Sequence, residues 1–259
     1  MELKDVKDVI DIVPTIYEDG AKPMVQETGK TVSLIPRTIN AALAPLRIWI
    51  AKKEYNVSET EKLLALKLSK IGVAHIVPPE PYVGVPAIQA ISYAMNSKDL
   101  RNLYANLLAK SMIDTMKDRV HPAFVEIIKQ LIPDEAKLLK LFIDKDDFPL
   151  IDVQCVNDDI NQSYTVIVRN FTPILEGVCE NASAVTSYLD NLSRLRIIEI
   201  PAGVYLSNNE VYKPLENHPE IDKIIRTELE KGKRWNIEKK KFSVTAFGRE
   251  FIDICVKDY

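Results

Sequence analysis

Few side chains in this 259-residue chain could do proton or metal chemistry: three histidines (His75, His121, His218) and three cysteines (Cys155, Cys179, Cys255). His121 is the candidate catalytic base. It stands before Pro122 at a predicted helix start, and Asp118 and Glu126 are the carboxylates near enough in sequence to orient it. The competing role for an imidazole there is to cap the helix or to hydrogen-bond within the core. Asp114 and Asp118 lie four residues apart, which places two carboxylates on one helical face. A metal in a helical bundle draws on several such helices and usually on histidine, so a wet face is the competing reading. The cysteines are too dispersed for a zinc cluster and read as buried thiols of a reducing cytosol. No Gly-rich phosphate loop, HExxH or GxSxG is present, and Asp144-Lys145-Asp146-Asp147 lacks the acid spacing and glycine of a calcium loop. The expectation is no metal, no cofactor, and a protein that is not an enzyme.

A second kind of chemistry is electrostatic. Residues 231–241 hold Lys231, Lys233, Arg234, Lys239, Lys240 and Lys241 against one acid, Glu238, with Trp235 interleaved. Lysines can follow a phosphate backbone and a tryptophan can stack on a base, so this run is the candidate surface for nucleic acid or an acidic partner. A solvated loop is the bland alternative. The whole chain gives no such hint, because its formal charge is -3 and its pI is near 5.8.

The elements that must position these residues follow from periodicity. Residues 100–142 form the centre. Leu100, Leu103, Tyr104, Leu107, Leu108 and Ser111 share one helical face, while Asp99, Arg101, Asn102 and Lys110 fall largely outside it. Pro122 and Pro133 open two further helices, since proline suits a first turn and no other. Upstream, Ser58 and Glu61 make a capping box for a helix over 58–71, and residues 76–86, with four prolines, read as an extended connector before a helix opened by Pro86. Residues 2–13 have the pattern of a short amphipathic helix, not of a secretory signal.

Residues 31–50 are apolar, with Arg37 and Arg47 as the charges and Pro36 and Pro45 as interruptions. They are expected to be buried, across a homo-oligomer contact, with a membrane-surface helix as the less favoured reading. After the solvated junction at Asp144–Asp147 the pattern changes. Strands are expected at 149–156 and 164–168, a helix at 183–193, and a hairpin of 194–200 with 204–206. A helix at 219–230, a strand at 241–244 and a terminal helix capped by Thr245 complete the reading.

The expected fold is therefore α+β: an all-helical domain over 1–143 followed by a small winged-helix-like α+β domain over 149–259.

The central phrase resembles a known family. Leu100, Leu103 and Ala105-Asn106-Leu107-Leu108-Ala109, then Val120-His121-Pro122-Ala123-Phe124, then Gln130-Leu131 and Pro133-Asp134, are similar to the abortive infection alpha family of bacterial phage-resistance proteins. The ending Val244 to Phe251, with Cys255, fits the same family, and the likeness covers roughly residues 60–259. The resemblance implies a cytosolic protein of bacteria or phage in antiviral defence, and it carries no catalytic residue over. The expected function is a defence effector or sensor that acts by binding and assembly, with itself or with a phage or host protein. The alternative is a nucleic-acid-binding regulator through the C-terminal module.

Overall fold

The computed structural model describes residues 57–91, 94, 97–156, 163–174, 176–230 and 234–258. The expectations for residues 2–13 and 31–50, and for Lys231 and Lys233, lie outside these residues. The chain forms two compact units. One contains the described residues up to Pro133 together with those from Asp253 onward, and the other is Asp134–Ile252.

The first unit is helical: α1 (Val57–Leu68), α2 (Pro81–Ile91), α3 (Lys98–Ser111) and α4 (Ala123–Lys129). The α1 helix is shorter than the leucine spacing suggested. Leu64 and Leu68 are buried, and Leu66, two residues from each, points the other way and is 72% exposed. The proline-rich connector ends sooner than expected, because α2 starts at Pro81 and carries Pro86 inside it. The missing N–H of Pro86 costs one helical bond, and the burial of Val83, Ala87, Ile88 and Ile91 outweighs it.

Ser97 caps α3 by accepting from the Leu100 N–H at 3.3 Å. From Leu103 onward this helix is buried on every side, and that includes Asn106 and Lys110. Lys110 was expected outside the apolar face; instead its ammonium finds backbone carbonyls to satisfy it, which is what lets a lysine stay buried.

The second unit contains α5 (Pro133–Leu139, counted from Asp134), β1 (Asp147–Val156), β2 (Tyr164–Phe171), α6 (Val185–Arg194), β3 (Ile198–Glu199), α7 (Lys213–Glu216), α8 (Pro219–Glu230), β4 (Arg234–Val244) and α9 (Ala246–Phe251). A π-helical turn, Ile252–Val256, continues α9. The sheet is antiparallel with strand order β2-β1-β4-β3. One face holds Ile151, Val153, Phe171, Tyr212, Leu215, Ile221 and Ile225 as a core. Elsewhere in the unit Phe148 stacks on Phe242 at 4.8 Å, and Phe142 meets both rings at 5.0 and 5.6 Å. Each such buried ring contributes about 1.5–3 kcal/mol.

The charged stretch Asp144–Asp146 is exposed, and it is anchored. The Arg249 guanidinium donates to the carbonyls of Phe142, Ile143 and Lys145 and to the Asp146 carboxylate, and Asp147 already belongs to β1. The hairpin of 194–200 with 204–206 does not form. Only Ile198 and Glu199 are strand, they pair with Val244 and Ser243, and the Leu206 N–H is taken by the Tyr212 hydroxyl at 2.8 Å. Lastly, β4 begins at Arg234 rather than 241, so most of the basic run is a strand in register with β1 from end to end.

The terminal helix is as expected. Thr245 accepts from the Gly248 N–H at 2.8 Å, and Gly248 is required because a Cβ there would lie 2.0 Å from the Ile197 carbonyl oxygen. Among the described residues, no helix is long and apolar enough to cross a membrane.

Candidate functional site

The central helix α3 and the C-terminal residues build a buried polar socket within the first unit. Asn106 and Lys110 stand one turn apart, so both project from the same side of α3. The Asn106 amide donates to the carbonyls of Cys255 (3.0 Å) and Val256 (3.3 Å). The Lys110 ammonium donates to the carbonyls of Asp253 and Lys257. These are carbonyls of the kind a helix end leaves without intrahelical partners, and a cation there is favourably placed. Two rim ion pairs flank the socket: Arg119 with Asp253 at 3.2 Å and Lys67 with Asp258 at 2.8 Å.

Burial lowers the Lys110 ammonium from the usual 10.5 to about 8, against the pull of Cys255, Asp253 and Asp258. Burial also pushes the Cys255 thiol well above its usual range, so it is not a ready nucleophile. The buried Tyr104 hydroxyl is pushed up as well, by desolvation first and then by Glu126 and Cys255. What this arrangement does chemically is hold residues 253–257 against α3.

His121 takes the capping role. Its Nδ1 accepts from the Ala123 N–H at 3.0 Å at the start of α4, and its ring lies 6.0 Å from Phe124. The carboxylate Glu126 pairs with Lys129 at 2.6 Å.

Asp114 and Asp118 do not share a helix, since α3 stops at Ser111. A lone β-bridge between Ile76 and Ile113 follows, and it brings His75 to Asp114, with Nδ1 and Oδ2 2.9 Å apart. The hydrogen bond from His75 is the main cause that holds the Asp114 carboxyl below the usual range. This pair was missed in the sequence because its members are 39 residues apart and the bridge that joins them is one residue long.

In the second unit Asp134 is the best-served acid. Its carboxylate accepts from the N–H groups of Glu180 (3.1 Å) and Asn181 (3.0 Å) and from Lys137 (3.1 Å). Burial pushes its carboxyl up, and the two backbone bonds with Lys137 outweigh that and hold it below the usual range.

The basic residues lie along β4. Arg234 and Trp235 are exposed at its start. Each of the three consecutive lysines has a carboxylate. Lys239 meets Glu216 at 3.2 Å, Lys240 meets the buried Asp152 at 2.9 Å and Asn170 at 2.7 Å, and Lys241 meets Asp147 at 2.8 Å. Lys241 and then Ser243 hold the Asp147 carboxyl low. In the described part of the run, Arg234–Lys241, the three lysines thus sit half-buried on a strand, each beside a carboxylate.

Among the described residues no group of three or more His, Cys, Asp and Glu could hold a metal ion. The cysteines are unpaired, with Cys155 and Cys255 buried.

No curated protein matches the chain. A solved structure titled "Structure of the uncharacterized protein from the hydrocarbon-degrading marine bacterium Alcanivorax borkumensis SK2" is similar at 15% identity. The match covers 56% of this chain and 96% of that one, with a TM-score of 0.35. The profile of the abortive infection alpha family matches residues 52–255, a span that includes α3, the His121-Pro122 joint, the whole sheet and the Thr245 cap. The chain therefore belongs to the abortive infection alpha family, a class of phage-defence proteins.

Proposed function

We propose that the protein acts in phage defence as an effector or sensor that binds and assembles, rather than as a catalyst. One observation carries this reading. The polar side chains of the family's central phrase, and Lys110 beside it, are committed to the protein's own backbone: Asn106 and Lys110 to the carbonyls of Cys255 and Asp253, His121 to the Ala123 N–H, and Asp134 to the N–H groups of Glu180 and Asn181. Such residues build a shape for a partner, a second copy of the chain or a phage or host protein, to meet. In a phage challenge of bacteria expressing the protein, His121→Ala should keep protection, with stability lowered by about 0.5–2 kcal/mol for the lost cap. A hydrolase or nucleotide-transferring activity in the purified protein that His121→Ala abolishes without unfolding it would overturn the proposal.

A second reading, nucleic-acid binding through Lys231, Lys233, Arg234, Trp235, Lys239, Lys240 and Lys241, draws support from the exposed Trp235 and Arg234 at the start of β4. The succession α6, β3, α7, α8, β4 supports a winged-helix-like description, with β1 in the place of the usual third strand. It predicts a salt-sensitive affinity for DNA that falls when Lys239, Lys240 and Lys241 become Ala. Unchanged affinity, or none at low salt, refutes it.

A further inference from the structure

We infer that the chain binds single-stranded nucleic acid on one face of the second unit's sheet, with Tyr164 as the stacking ring, Arg234 as the phosphate ligand and Asn236 as the contact to a base edge. The inference rests on the nucleic-acid reading above and names its ligand class and its surface.

Alternation splits the basic run. Successive side chains of a strand point to opposite faces, so Arg234–Lys241 cannot act as one surface. Trp235, Ile237, Lys239 and Lys241 share one face; Arg234, Asn236, Glu238 and Lys240 share the other. The first face is closed below Trp235. There Ile237 packs on the core that Leu215 of α7 and Ile221 and Ile225 of α8 complete, and Lys239 lies over the Tyr212 ring at 5.3 Å. The second face is closed at its far end, where Phe148 and Phe242 stack, and open at its start. Val156 pairs with Arg234 on one side and with Tyr164 on the other, so a guanidinium and a phenol ring flank a half-buried valine, their strands about 10 Å apart. Tyr164 is 57% exposed, and Arg234 and Asn236 are exposed as well.

A relay of hydrogen bonds fixes the Asn236 amide. The Glu238 carboxylate only accepts, so Gln154 gives it an Nε2 hydrogen, at 2.6 Å, and turns its own Oε1 toward Asn236. Asn236 must then donate from Nδ2, at 3.0 Å. That leaves the Asn236 Oδ1 and a second N–H, an acceptor and a donor on one planar group, which is the pair that reads a base edge.

These groups select a single strand. A duplex hides the faces of its bases, and a ring standing on a sheet stacks only on a base that has left its partner. The Arg234 guanidinium, a planar fork of N–H donors, fits a phosphate. Glu238 is four residues, or about 14 Å, further along the same face and repels a phosphate, so the backbone of the bound strand runs over the Arg234 end. Lys240 lies on this face too, held by Asp152 and Asn170.

The test is fluorescence anisotropy on the full chain at low salt, with a labelled single-stranded DNA of mixed sequence, the matching RNA strand and the DNA duplex. A single strand should bind about tenfold or more tightly than the duplex. Tyr164→Ala should weaken single-strand binding by about tenfold, at low and moderate salt alike because stacking is not screened, and Tyr164→Phe should bind as the wild type does. Arg234→Gln should weaken binding and flatten its salt dependence. Trp235→Ala, on the opposite face, should change affinity by less than about twofold. Equal affinity for duplex and single strand, a Tyr164→Ala variant that binds as tightly as the wild type, or a larger loss from Trp235→Ala than from Tyr164→Ala would overturn the inference and leave the nucleic-acid reading standing. No binding of any of the three probes at low salt would overturn both.

Discussion

Lys110 offers a sharp test of the buried socket. It is 3% exposed and its ammonium titrates at about 8 when folded, against 10.5 for an ordinary lysine. The unfolded chain therefore holds this proton over a pH range in which the folded chain has released it. Stability then rises with pH across that window, because the unfolded state binds more protons. With these two values the burial of Lys110 costs about 3 kcal/mol of stability at pH 7 and about 1 kcal/mol at pH 9.5, a rise in stability of about 2 kcal/mol between them.

Lys110→Met keeps most of the volume and removes the titration. Urea unfolding of both proteins at pH 7, 8, 9 and 9.5 measures the effect, with the variant's curve cancelling every other group. The range stops there because Tyr104, raised by burial, adds an opposite dependence above the ordinary tyrosine value. Wild-type stability should gain about 2 kcal/mol relative to the variant over this range. Parallel curves, within about 0.5 kcal/mol, would show that the ammonium is not desolvated as the geometry requires.

Gly248→Ala should be among the most damaging single methyl additions in the second unit. The new Cβ would lie 2.0 Å from the Ile197 carbonyl oxygen, so the cost should reach or exceed the roughly 1–3 kcal/mol of ordinary overpacking. Gly203→Ala has open space and a φ of +69°, and should cost only about 1 kcal/mol; equal urea midpoints for the two would refute the steric argument. Asp134→Asn should lower stability at pH 7 by about 1–3 kcal/mol through weakened bonds to Glu180 and Asn181. Because the Asp134 carboxyl is held low, this stabilisation is complete above the unfolded carboxylate's value and is lost as pH falls through the folded one. The difference between wild type and D134N should therefore shrink from pH 5 to pH 3, and a difference that is constant down to pH 3 would contradict it.

The sequence by itself determined what depends on neighbours in the chain. Prolines at 122 and 133 marked helix starts because a pyrrolidine ring fits the first turn, and Thr245 marked the last helix because a threonine hydroxyl can cap the N–H three residues on. The change from helical to alternating periodicity near Asp144 located the mixed half of the fold, and the central phrase located the family. Tertiary structure decided the rest.

Alternation could not say which strand pairs with which. The basic run read as a loop because its lysines hide their partners in Asp152, Asp147 and Glu216, up to 94 residues away. The two-residue β3 was overcalled as a hairpin because nothing local shows that Tyr212 takes the Leu206 N–H. Lys110 looked wet since a lone lysine on a helix normally is, and only the carbonyls of Asp253 and Lys257, about 145 residues on, make its burial tolerable. Local signals encode where elements begin and end. Where a charge or a strand edge finds its partner is set by long-range packing, which no short window of sequence contains.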